Sequence, residues 1–365
     1  MKRCDELQSV HATKLYSTKA LALRCVFDSV SGQLDGFSVS SPFEAFLASE
    51  MAEPNAPIHF TSPGLSYQAV PDIARTCTHV SLNSISQWDR LAEQLAEAAS
   101  LGLRVNTGIS TVRDLRYDPC RPNSKLGILL QDLAALWKHS GVPGLLDGIH
   151  VHNACLSRSW VPILKTARKI EGVFGRNLNK LKWINLGGGY IWDETTDFGP
   201  LEKAVDILTT TYGLEVFVEP GAGIVNSAGY LIASVIDVFK SEGKTIAVLD
   251  TTVNHLPEVF EYQFEPDVME HTEEGQYEYI LAGCSCLAGD LFGEFCFRQP
   301  LEIGSRVTFE NVGAYTMVKA NMFNGINLPS IYALDQTGQL ELIKEFTFED
   351  FANQCGFPSY QYANH

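Results

Sequence analysis

The chain has 365 residues, 45% of them hydrophobic, and a mean hydropathy of −0.01. These values indicate a globular protein that is long enough for one large domain and a smaller one. The sequence has no run of about 18 apolar residues, so a membrane-spanning helix is not predicted. The polar first residues, MKRCDELQSVHATK, predict no signal peptide.

The charge and the cysteines exclude further classes of protein. A formal net charge of −16, from 43 acidic and 27 basic residues, disfavours nucleic-acid binding. The same charge would attract cationic ligands, although a solvated acidic surface needs no ligand at all. Nine cysteines, an odd number without paired metal spacing, indicate reduced thiols in the cytoplasm and predict no metal site.

Up to about residue 225, short β-rich runs alternate with helix-like stretches such as ISQWDRLAEQLAEAASLG. Strands that alternate with helices predict parallel pairing, because parallel strands need a crossover connection. Eight such units are the number that closes a (β/α)8 barrel. The eight runs are KLYSTKA from Lys14, GFSVS from Gly36, IHFTS from Ile58, HVSLNS from His79, LRVNTG from Leu103, DGIHVHN from Asp147, WINLGGG from Trp183 and EVFVEPG from Glu215.

The pattern changes near residue 235, which predicts a barrel domain over 1–235 and a mostly β domain over 236–365. Five segments of the second domain read as strands with turn signals between them. They are GYLIASVIDVFKS, KTIAVLDTTV, YEYILAG, SRVTFENVGAYTM and SIYALDQTGQLELIKEF. TGQ in the last segment predicts a hairpin.

In such barrels the chemistry lies at the C-terminal ends of the strands. Polar and glycine residues cluster there in this sequence, namely Lys19, Ser40, Ser41, Arg104, His152, Gly187 to Gly189 and Glu219. Turns favour glycine, serine and asparagine in any case. Taken together, these residues still favour an active site at this end of the barrel.

Two of these features suit bound groups: the glycines suit an anion, and Glu219 suits a cationic or hydrogen-bonding partner. The glycines 187–189 would let backbone N–H groups approach phosphate oxygens, or they form only a tight loop after a strand. Glu219 ends the next strand, where a buried carboxylate needs a partner such as a protonated pyridine nitrogen. The alternative is an ordinary glutamate before a Pro-Gly turn.

Lys19 and the histidines are also open to more than one interpretation. A lysine desolvated inside a barrel has a lowered pKa and becomes a nucleophile for Schiff-base formation. Alternatively, the ammonium of Lys19 only reaches the solvent at the barrel mouth. His150 and His152 lie on one side of their strand; they could bind a metal, stack on a cofactor or fill the core. The spacing reveals no third metal ligand.

These motifs, in this order, resemble the fold-III decarboxylases that use pyridoxal 5'-phosphate (PLP). The ornithine, diaminopimelate and, most closely, carboxynorspermidine/carboxyspermidine decarboxylases belong to this group. The matching segments run from about residue 19 to 333 and include LDGFSVSSPFEA, GIHVHNAC, LKWINLGGGY, VEPGAGIVNSAGYL, LAGCSCLAGD and AYTMVKANMFNGINLPSI. The resemblance implies a barrel of the alanine-racemase type followed by a C-terminal β domain.

The resemblance assigns a role to each candidate residue. Lys19 would anchor PLP, His152 would stack on its pyridine ring and Glu219 would pair with the ring nitrogen. Its phosphate would be held by Gly187, Gly188, Gly189 and Tyr315. Cys286 would protonate the carbanion, with Asp290 beside it. The substrate would contact His255, Glu258, Glu261 and Asp290.

In this class Cys286 and Asp290 come from the partner subunit, which implies a homodimer with shared active sites. The implied reaction converts carboxynorspermidine or carboxyspermidine into norspermidine or spermidine. A decarboxylase of diaminopimelate, ornithine or lysine, and a non-catalytic PLP-binding protein, are the alternatives. A racemase is disfavoured, because the segment from Cys286 to Asp290 has no role there.

Three features depart from the pattern of the family. The sequence has Leu156 where an acidic residue is expected and Glu265 where a basic one is expected. The segment before Lys19 is shorter than the strand and helix that the resemblance implies. The first two departures concern the substrate more than the PLP chemistry.

Overall fold

The computed structural model describes residues 2–139, 144–335 and 337–357. The chain divides into two compact units, Met1–Ile224 and Val225–His365, which we call the barrel unit and the β unit. From sequence, the division is placed between residues 235 and 236.

All strand pairs of the barrel unit are parallel. Its strands are β1 Thr13–Ser17, β2 Gly36–Val39, β3 Ile58–Ser62, β4 His79–Leu82, β5 Ser100–Asn106, β6 Ile128–Leu129, β7 Gly148–Val151, β8 Trp183–Asn185 and β9 Glu215–Val218. Eight of them close a barrel, because β1 pairs with β9 and β4 pairs with β5, whereas β6 pairs with β5 alone among the described strands. Each of the eight runs read from the sequence overlaps one barrel strand, so the predicted barrel is confirmed.

The helices of the described residues are α1 Lys2–Glu6, α2 Arg24–Val30, α3 Pro42–Met51, α4 Val70–Thr76, α5 Ile85–Leu95, α6 Leu130–His139, α7 Val161–Phe174, α8 Gly199–Asp206, α9 Ala222–Val225, α10 Pro257–Tyr262 and α11 Phe348–Gln354. None of these helices is both long and apolar enough to span a membrane.

Helix α5 ends earlier than its sequence pattern predicts. It begins after Ser84, whose hydroxyl accepts a hydrogen bond from the N–H of Gln87 at 3.1 Å, as in a typical N-cap. The predicted helix also included Ser100, but this residue pairs in parallel with His79 as the first residue of β5. Pairing between the neighbouring strands β4 and β5 therefore overrides the helical periodicity at Ser100.

Ser40 and Ser41, which follow β2, make hydrogen bonds at the start of a helix. The Ser41 hydroxyl accepts the N–H of Glu44 at 3.2 Å, and the Glu44 carboxylate accepts the N–H of Ser40 at 2.6 Å. Ser41 is the N-cap of α3, Glu44 binds the residue before it, and Pro42 lies in the first turn of the helix. A helix start explains both serines.

An aromatic stack fills part of the barrel interior. The rings of His59 and His79 lie 4.1 Å apart, and His59 also contacts Phe217 at 4.2 Å between centroids. Burial lowers the pKa of His79 to about 4. A Cβ on Gly148 would lie 2.0 Å from the ring of Trp183, so this strand needs a glycine beside the tryptophan.

The β unit has a five-stranded sheet in the order β13-β12-β11-β10-β14 and a separate two-stranded hairpin. The strands are β10 Leu231–Ser241, β11 Lys244–Leu249, β12 Tyr277–Ala282, β13 Leu291–Phe297, β14 Arg306–Phe309, β15 Ile331–Leu334 and β16 Leu340–Lys344. The hairpin predicted from TGQ is confirmed, since β15 and β16 pair antiparallel. The sequence prediction missed β13 and extended the strand of β14 too far.

Candidate active site

Lys19 lies in a single 3-10 turn, Thr18–Ala20, directly after β1. Burial lowers the pKa of its ammonium group; the negative charge of Glu219 opposes this effect, and the positive charge of Arg104 adds to it. A lowered pKa increases the fraction of neutral amine at physiological pH, which is the nucleophilic form. The location and the electrostatics both suit a lysine that attacks a carbonyl group.

Glu219 follows β9 and is 3% exposed. Its Oε1 accepts a hydrogen bond from the Nδ2 of Asn185 at 2.9 Å, and its Oε2 lies 3.6 Å from the Nε2 of His150. Burial acts to raise the pKa of the carboxyl group, but the neighbouring His150 and Lys19 outweigh it and hold this pKa well below its usual range. Glu219 is therefore an ionised, buried carboxylate.

The glycines at 187–189 are required by close backbone contacts. A Cβ on Gly188 would lie 2.0 Å from the carbonyl oxygen of Glu219, and one on Gly189 equally close to that of Ala154. Gly187 and Gly189 also have positive φ angles, of 69° and 89°. Any side chain here would push apart the ends of β7, β8 and β9, so the loop presents a bare backbone surface.

The two histidines of β7 and the loop after it lie close to Glu219. His152 accepts the N–H of Gly188 on its Nδ1 at 3.2 Å. Burial and the positive charges of Lys19 and Arg104 hold the pKa of His152 well below its usual range, so its ring is neutral. Both ring nitrogens of His150 are buried without a hydrogen-bond partner among the described residues.

The structure supplies the third potential metal ligand that the sequence did not reveal. Ligand atoms of His150, His152 and Glu219 all lie within 4.8 Å of one another. However, Arg104 and the protonated form of Lys19 lie close enough to affect the same groups. Their positive charge acts against binding of a divalent metal and favours an anion such as a phosphate.

These residues fit PLP. The glycine loop offers a backbone surface that no Cβ fills, and Arg104, 8% exposed, adds a fixed positive charge for a phosphate. Glu219 offers an ionised carboxylate for a protonated pyridine nitrogen, and His152 offers a flat neutral ring. Lys19 offers an amine at the same end of the barrel.

In the β unit, the loop that carries Cys286 is fixed by Asp290. This carboxylate, 3% exposed, accepts the N–H of Val253 at 2.7 Å, the N–H of Ser285 at 2.9 Å and the Ser285 hydroxyl. Cys286 itself is exposed, and its N–H donates to the Oδ1 of Asn324 at 2.8 Å. Asp290 thus orders the loop; its contact with substrate stays a prediction.

The predicted substrate residues Glu258 and Glu261 share a cation, Lys319. The Nζ of Lys319 lies 3.6 Å from the Oε1 of Glu258, donates to Glu261 and lies 5.2 Å from the ring centroid of Tyr262. Burial raises the pKa of Glu258, an effect that Lys319 opposes and Glu261 reinforces. The cluster therefore carries one net negative charge when its groups are ionised.

His255, the remaining candidate for substrate contact, is 2% exposed and pairs through Nδ1 with the hydroxyl of Thr251 at 2.9 Å. Burial lowers its pKa to about 4, so the ring is neutral at physiological pH. Its Nε2 is buried without a hydrogen-bond partner in the described part of the chain. Contact with substrate remains a prediction for His255.

Tyr315, the predicted phosphate ligand, has a φ of +59°. A positive φ at a bulky residue costs on the order of 1–3 kcal/mol and is often found at functional sites. The preceding Gly313 allows a close approach, because its Cβ would lie 1.8 Å from the carbonyl oxygen of Val225. The local strain is consistent with a function for Tyr315, which stays a prediction.

The two departures in the middle of the chain have local structural consequences. Leu156 also has a positive φ, of +50°, and is 45% exposed. Glu265 accepts the N–H of Glu294 at 3.1 Å and packs where a Cβ on Gly293 would lie. Glu265 therefore supports the edge of the sheet at β13.

Sequence reasoning missed several residues that the structure places in these clusters. Asn185 and His59 lie beside Glu219, and Lys319 lies between Glu258 and Glu261. Asn185 is the last residue of β8, so its position at a strand end was the available signal. For the other two no local sequence signal exists, because their partners lie far away in the sequence.

Comparisons with known proteins identify the family of this chain. The family model described as pyridoxal-dependent decarboxylase, C-terminal sheet domain, matches residues 26–313. The carboxyaminopropylagmatine decarboxylase of Synechocystis is 34% identical over 357 residues, which cover 96% of this chain and 90% of the relative. The carboxynorspermidine/carboxyspermidine decarboxylase of Campylobacter jejuni is 30% identical over 370 residues, covering 96% and 94%.

The crystal structure of carboxynorspermidine decarboxylase from Campylobacter jejuni, complexed with norspermidine, superimposes with a TM-score of 0.86. This match has 30% sequence identity and covers 97% of this chain and 96% of that one. The fold and these relatives define a PLP-dependent enzyme of the carboxy-lyase class. The chain belongs to the pyridoxal-dependent decarboxylase family.

Proposed function

We propose that this chain decarboxylates carboxynorspermidine or carboxyspermidine and thereby forms norspermidine or spermidine in polyamine biosynthesis. The observation that carries the proposal is the likeness to a decarboxylase whose crystal structure contains norspermidine. The carboxylates of Glu258 and Glu261 support it, because such substrates carry several ammonium groups. The net charge of −16 would also attract a polycation to the protein.

The residues of the barrel unit would orient the reactants. PLP, when bound, accepts the electron pair that the departing CO2 leaves behind. Glu219 would keep the ring nitrogen protonated through an ion pair, and His152 would support the face of the ring. Lys19 would hold the cofactor, give way to the amine of the substrate and return to release the product. Gly187–Gly189 would bind the phosphate, together with Tyr315.

We further propose a division of labour between domains, in which the barrel over 1–235 binds PLP and the β domain over 236–365 completes the site of a partner copy. Cys286 would then deliver the proton to the carbon that loses CO2, from a loop ordered by Asp290. His255 would contribute to substrate binding. We place the enzyme in the cytoplasm, where its nine cysteines, all free thiols, would stay reduced.

The shared site requires a homodimer, and mixing two inactive variants tests it. Lys19→Ala removes the cofactor anchor and Cys286→Ala removes the proton donor. Equal amounts of the two, allowed to exchange subunits, should regain about a quarter of the wild-type activity, since half the dimers then carry one intact site of two. Activity that never rises above that of the separate variants would contradict the shared site.

Carboxyaminopropylagmatine is a second candidate substrate, because the Synechocystis relative named for it is 34% identical to this chain. It differs from carboxyspermidine in the distal group, which is a guanidinium in place of an ammonium. A guanidinium binds carboxylates in a planar, bidentate manner that an ammonium does not reproduce. The distal group therefore decides between the two candidates.

Release of CO2 from a panel of substrates tests the proposal. The panel contains carboxynorspermidine, carboxyspermidine, carboxyaminopropylagmatine, diaminopimelate, ornithine and lysine. We expect the highest kcat/KM with one of the first two. In Glu258→Gln the KM for that substrate should rise about tenfold, with little change in kcat, because one charged contact is lost. Glu278→Gln, at an exposed glutamate of β12, is the matched control.

Two results would contradict the proposal. The first is a higher kcat/KM for carboxyaminopropylagmatine or for a simple diamino acid. The second is an absence of CO2 release from every substrate of the panel by protein that binds PLP, which would favour a non-catalytic PLP-binding protein. An unchanged KM in Glu258→Gln would show that the acidic cluster does not bind the substrate, and the proposed reaction would still stand.

A further inference from the structure

Asn185 makes a connected set of contacts inside the barrel unit. The side chain is 1% exposed, and its Oδ1 accepts the N–H of Gly187 at 2.8 Å. Its Nδ2 donates to the Oε1 of Glu219 at 2.9 Å and lies 3.0 Å from the Nδ1 of His59. One amide therefore joins the glycine loop, the buried carboxylate and a histidine on the opposite side of the barrel.

These contacts fix the orientation of the amide and the tautomer of the histidine. Because Gly187 donates to Oδ1, both hydrogens of Nδ2 point towards Glu219 and His59. His59 must then accept on Nδ1, so its proton lies on Nε2. Burial and the nearby His79 hold the pKa of His59 well below its usual range, which agrees with a neutral ring.

We propose that Asn185 is a positioning residue that holds the Glu219 carboxylate in the orientation that meets the ring nitrogen of PLP, while His59 holds the amide of Asn185. The inference rests on the proposed function and extends it by two residues that do not touch the reacting atoms. Because the same amide also binds Gly187, movement of the phosphate loop and of the carboxylate would be coupled.

The chemistry of an amide is needed at this position. An aspartate would still accept the N–H of Gly187, but it would place a second carboxylate beside Glu219. Two carboxylates that share a buried site cannot both stay ionised, so one pKa would rise. The titratable or charged groups that act on Glu219 or on its amide partner are Lys19, Arg104, His59, His150 and His152.

The dissociation constant of PLP, measured on the apoenzyme by quenching of tryptophan fluorescence, tests the inference. We expect the constant to rise about 10- to 100-fold in Asn185→Asp, which loses the hydrogen bond to Glu219 and adds a second carboxylate. The rise should be smaller in Asn185→Ala, which only loses the hydrogen bond. His59→Phe should also weaken binding. His59→Asn, which keeps an acceptor for the amide, should restore it to within about twofold of wild type.

The pH dependence separates positioning from general damage to the fold. In Asn185→Asp the affinity for PLP should fall steeply between neutral and mildly acidic pH, because the paired carboxylates take up a proton. The same change of pH should affect the wild type less, since Glu219 stays ionised. A pH profile of Asn185→Asp that runs parallel to the wild-type profile would overturn the inference.

Asn83 provides a matched structural control. It follows β4, is 7% exposed, donates to the carbonyl of Lys125 at 2.9 Å and accepts the N–H of Gly127 at 2.9 Å. Asn83→Ala should lower the thermal stability of the apoenzyme as much as Asn185→Ala does, but it should leave the affinity for PLP unchanged. Equal PLP affinity in both alanine variants would contradict a positioning role. Wild-type protein that binds no PLP would instead contradict the proposed function itself.

Discussion

Replacing Lys19 by alanine is expected to abolish the attachment of PLP and to lower decarboxylation roughly 10²–10⁴-fold, the range that a positioned catalytic group contributes. The reason is the turn after β1, where burial and Arg104 lower the pKa of the amine. The visible absorbance band of lysine-bound PLP should disappear in this variant, whereas free cofactor still absorbs at its own wavelength. Absorbance spectra and initial rates check both effects.

Lys169→Ala is the matched control for this experiment. The Nζ of Lys169 donates to the carbonyl oxygen of Thr107 at 2.6 Å, just beyond β5. Lys169 lies in α7, so its removal takes away an ammonium group beside the end of a barrel strand without touching the proposed cofactor anchor. We expect the control to keep the absorbance band and most of the activity. A Lys19→Ala variant that retains the band would show that another amine holds PLP.

Glu219→Gln is expected to lower kcat roughly 10²–10³-fold, as is typical when one preorganised electrostatic partner is removed. Glutamine keeps the size of the side chain but cannot hold a proton on the ring nitrogen through an ion pair. Glu215→Gln, at the exposed start of the same strand, should leave kcat unchanged. Steady-state kinetics of both variants provide the comparison, and equal kcat values would exclude the role of Glu219.

The charge of Glu219 also predicts how stability depends on pH. The folded protein holds the pKa of this group below its value in the unfolded chain, so the unfolded state binds the proton first on acidification. The ionised group therefore contributes stability above the unfolded pKa, and this contribution is lost as the pH falls. Denaturant unfolding of the apoenzyme at several pH values should reveal this component in the wild type and not in Glu219→Gln.

The sequence predicts where the candidate residues of the barrel lie, because the strand ends of a closed barrel meet at one edge; the roles of these residues stay predictions. Lys19, His152, Gly187–Gly189 and Glu219 each follow a strand that was recognised from its composition. The order of the strands around the barrel then brings these residues together. Their neighbourhood therefore follows from strand periodicity and closure alone, without any knowledge of the loops.

Other features depend on contacts between segments that are distant in sequence. His59 reaches Asn185 across the interior of the barrel, from β3 to β8. Lys319 meets Glu258 only because a later loop of the β unit packs against helix α10. Strand β13 lacks clean alternation and contains Gly293, so the β signal of its sequence is weak. Periodicity describes one segment at a time and carries no signal for such pairings.

The substrate is the part of the function that the chemistry of single residues determines least. Glu258 and Glu261 fit a cationic substrate, but ammonium and guanidinium groups both satisfy that condition. Lys319 reduces the negative charge of this cluster, so charge alone does not explain which substrate the enzyme selects. Polyamine substrates therefore differ for this enzyme in the geometry of their distal group. The measurement of CO2 release from the substrate panel distinguishes them.

Reduction of the PLP-loaded wild-type protein with borohydride, followed by proteolysis and peptide mass mapping, tests the central claim most directly. Borohydride fixes lysine-bound PLP permanently, so the labelled residue can be read from the peptide masses. We predict a single label on Lys19, in the peptide that follows β1. A label on any other lysine, or no label on protein that has been saturated with PLP, would contradict the assignment of the site.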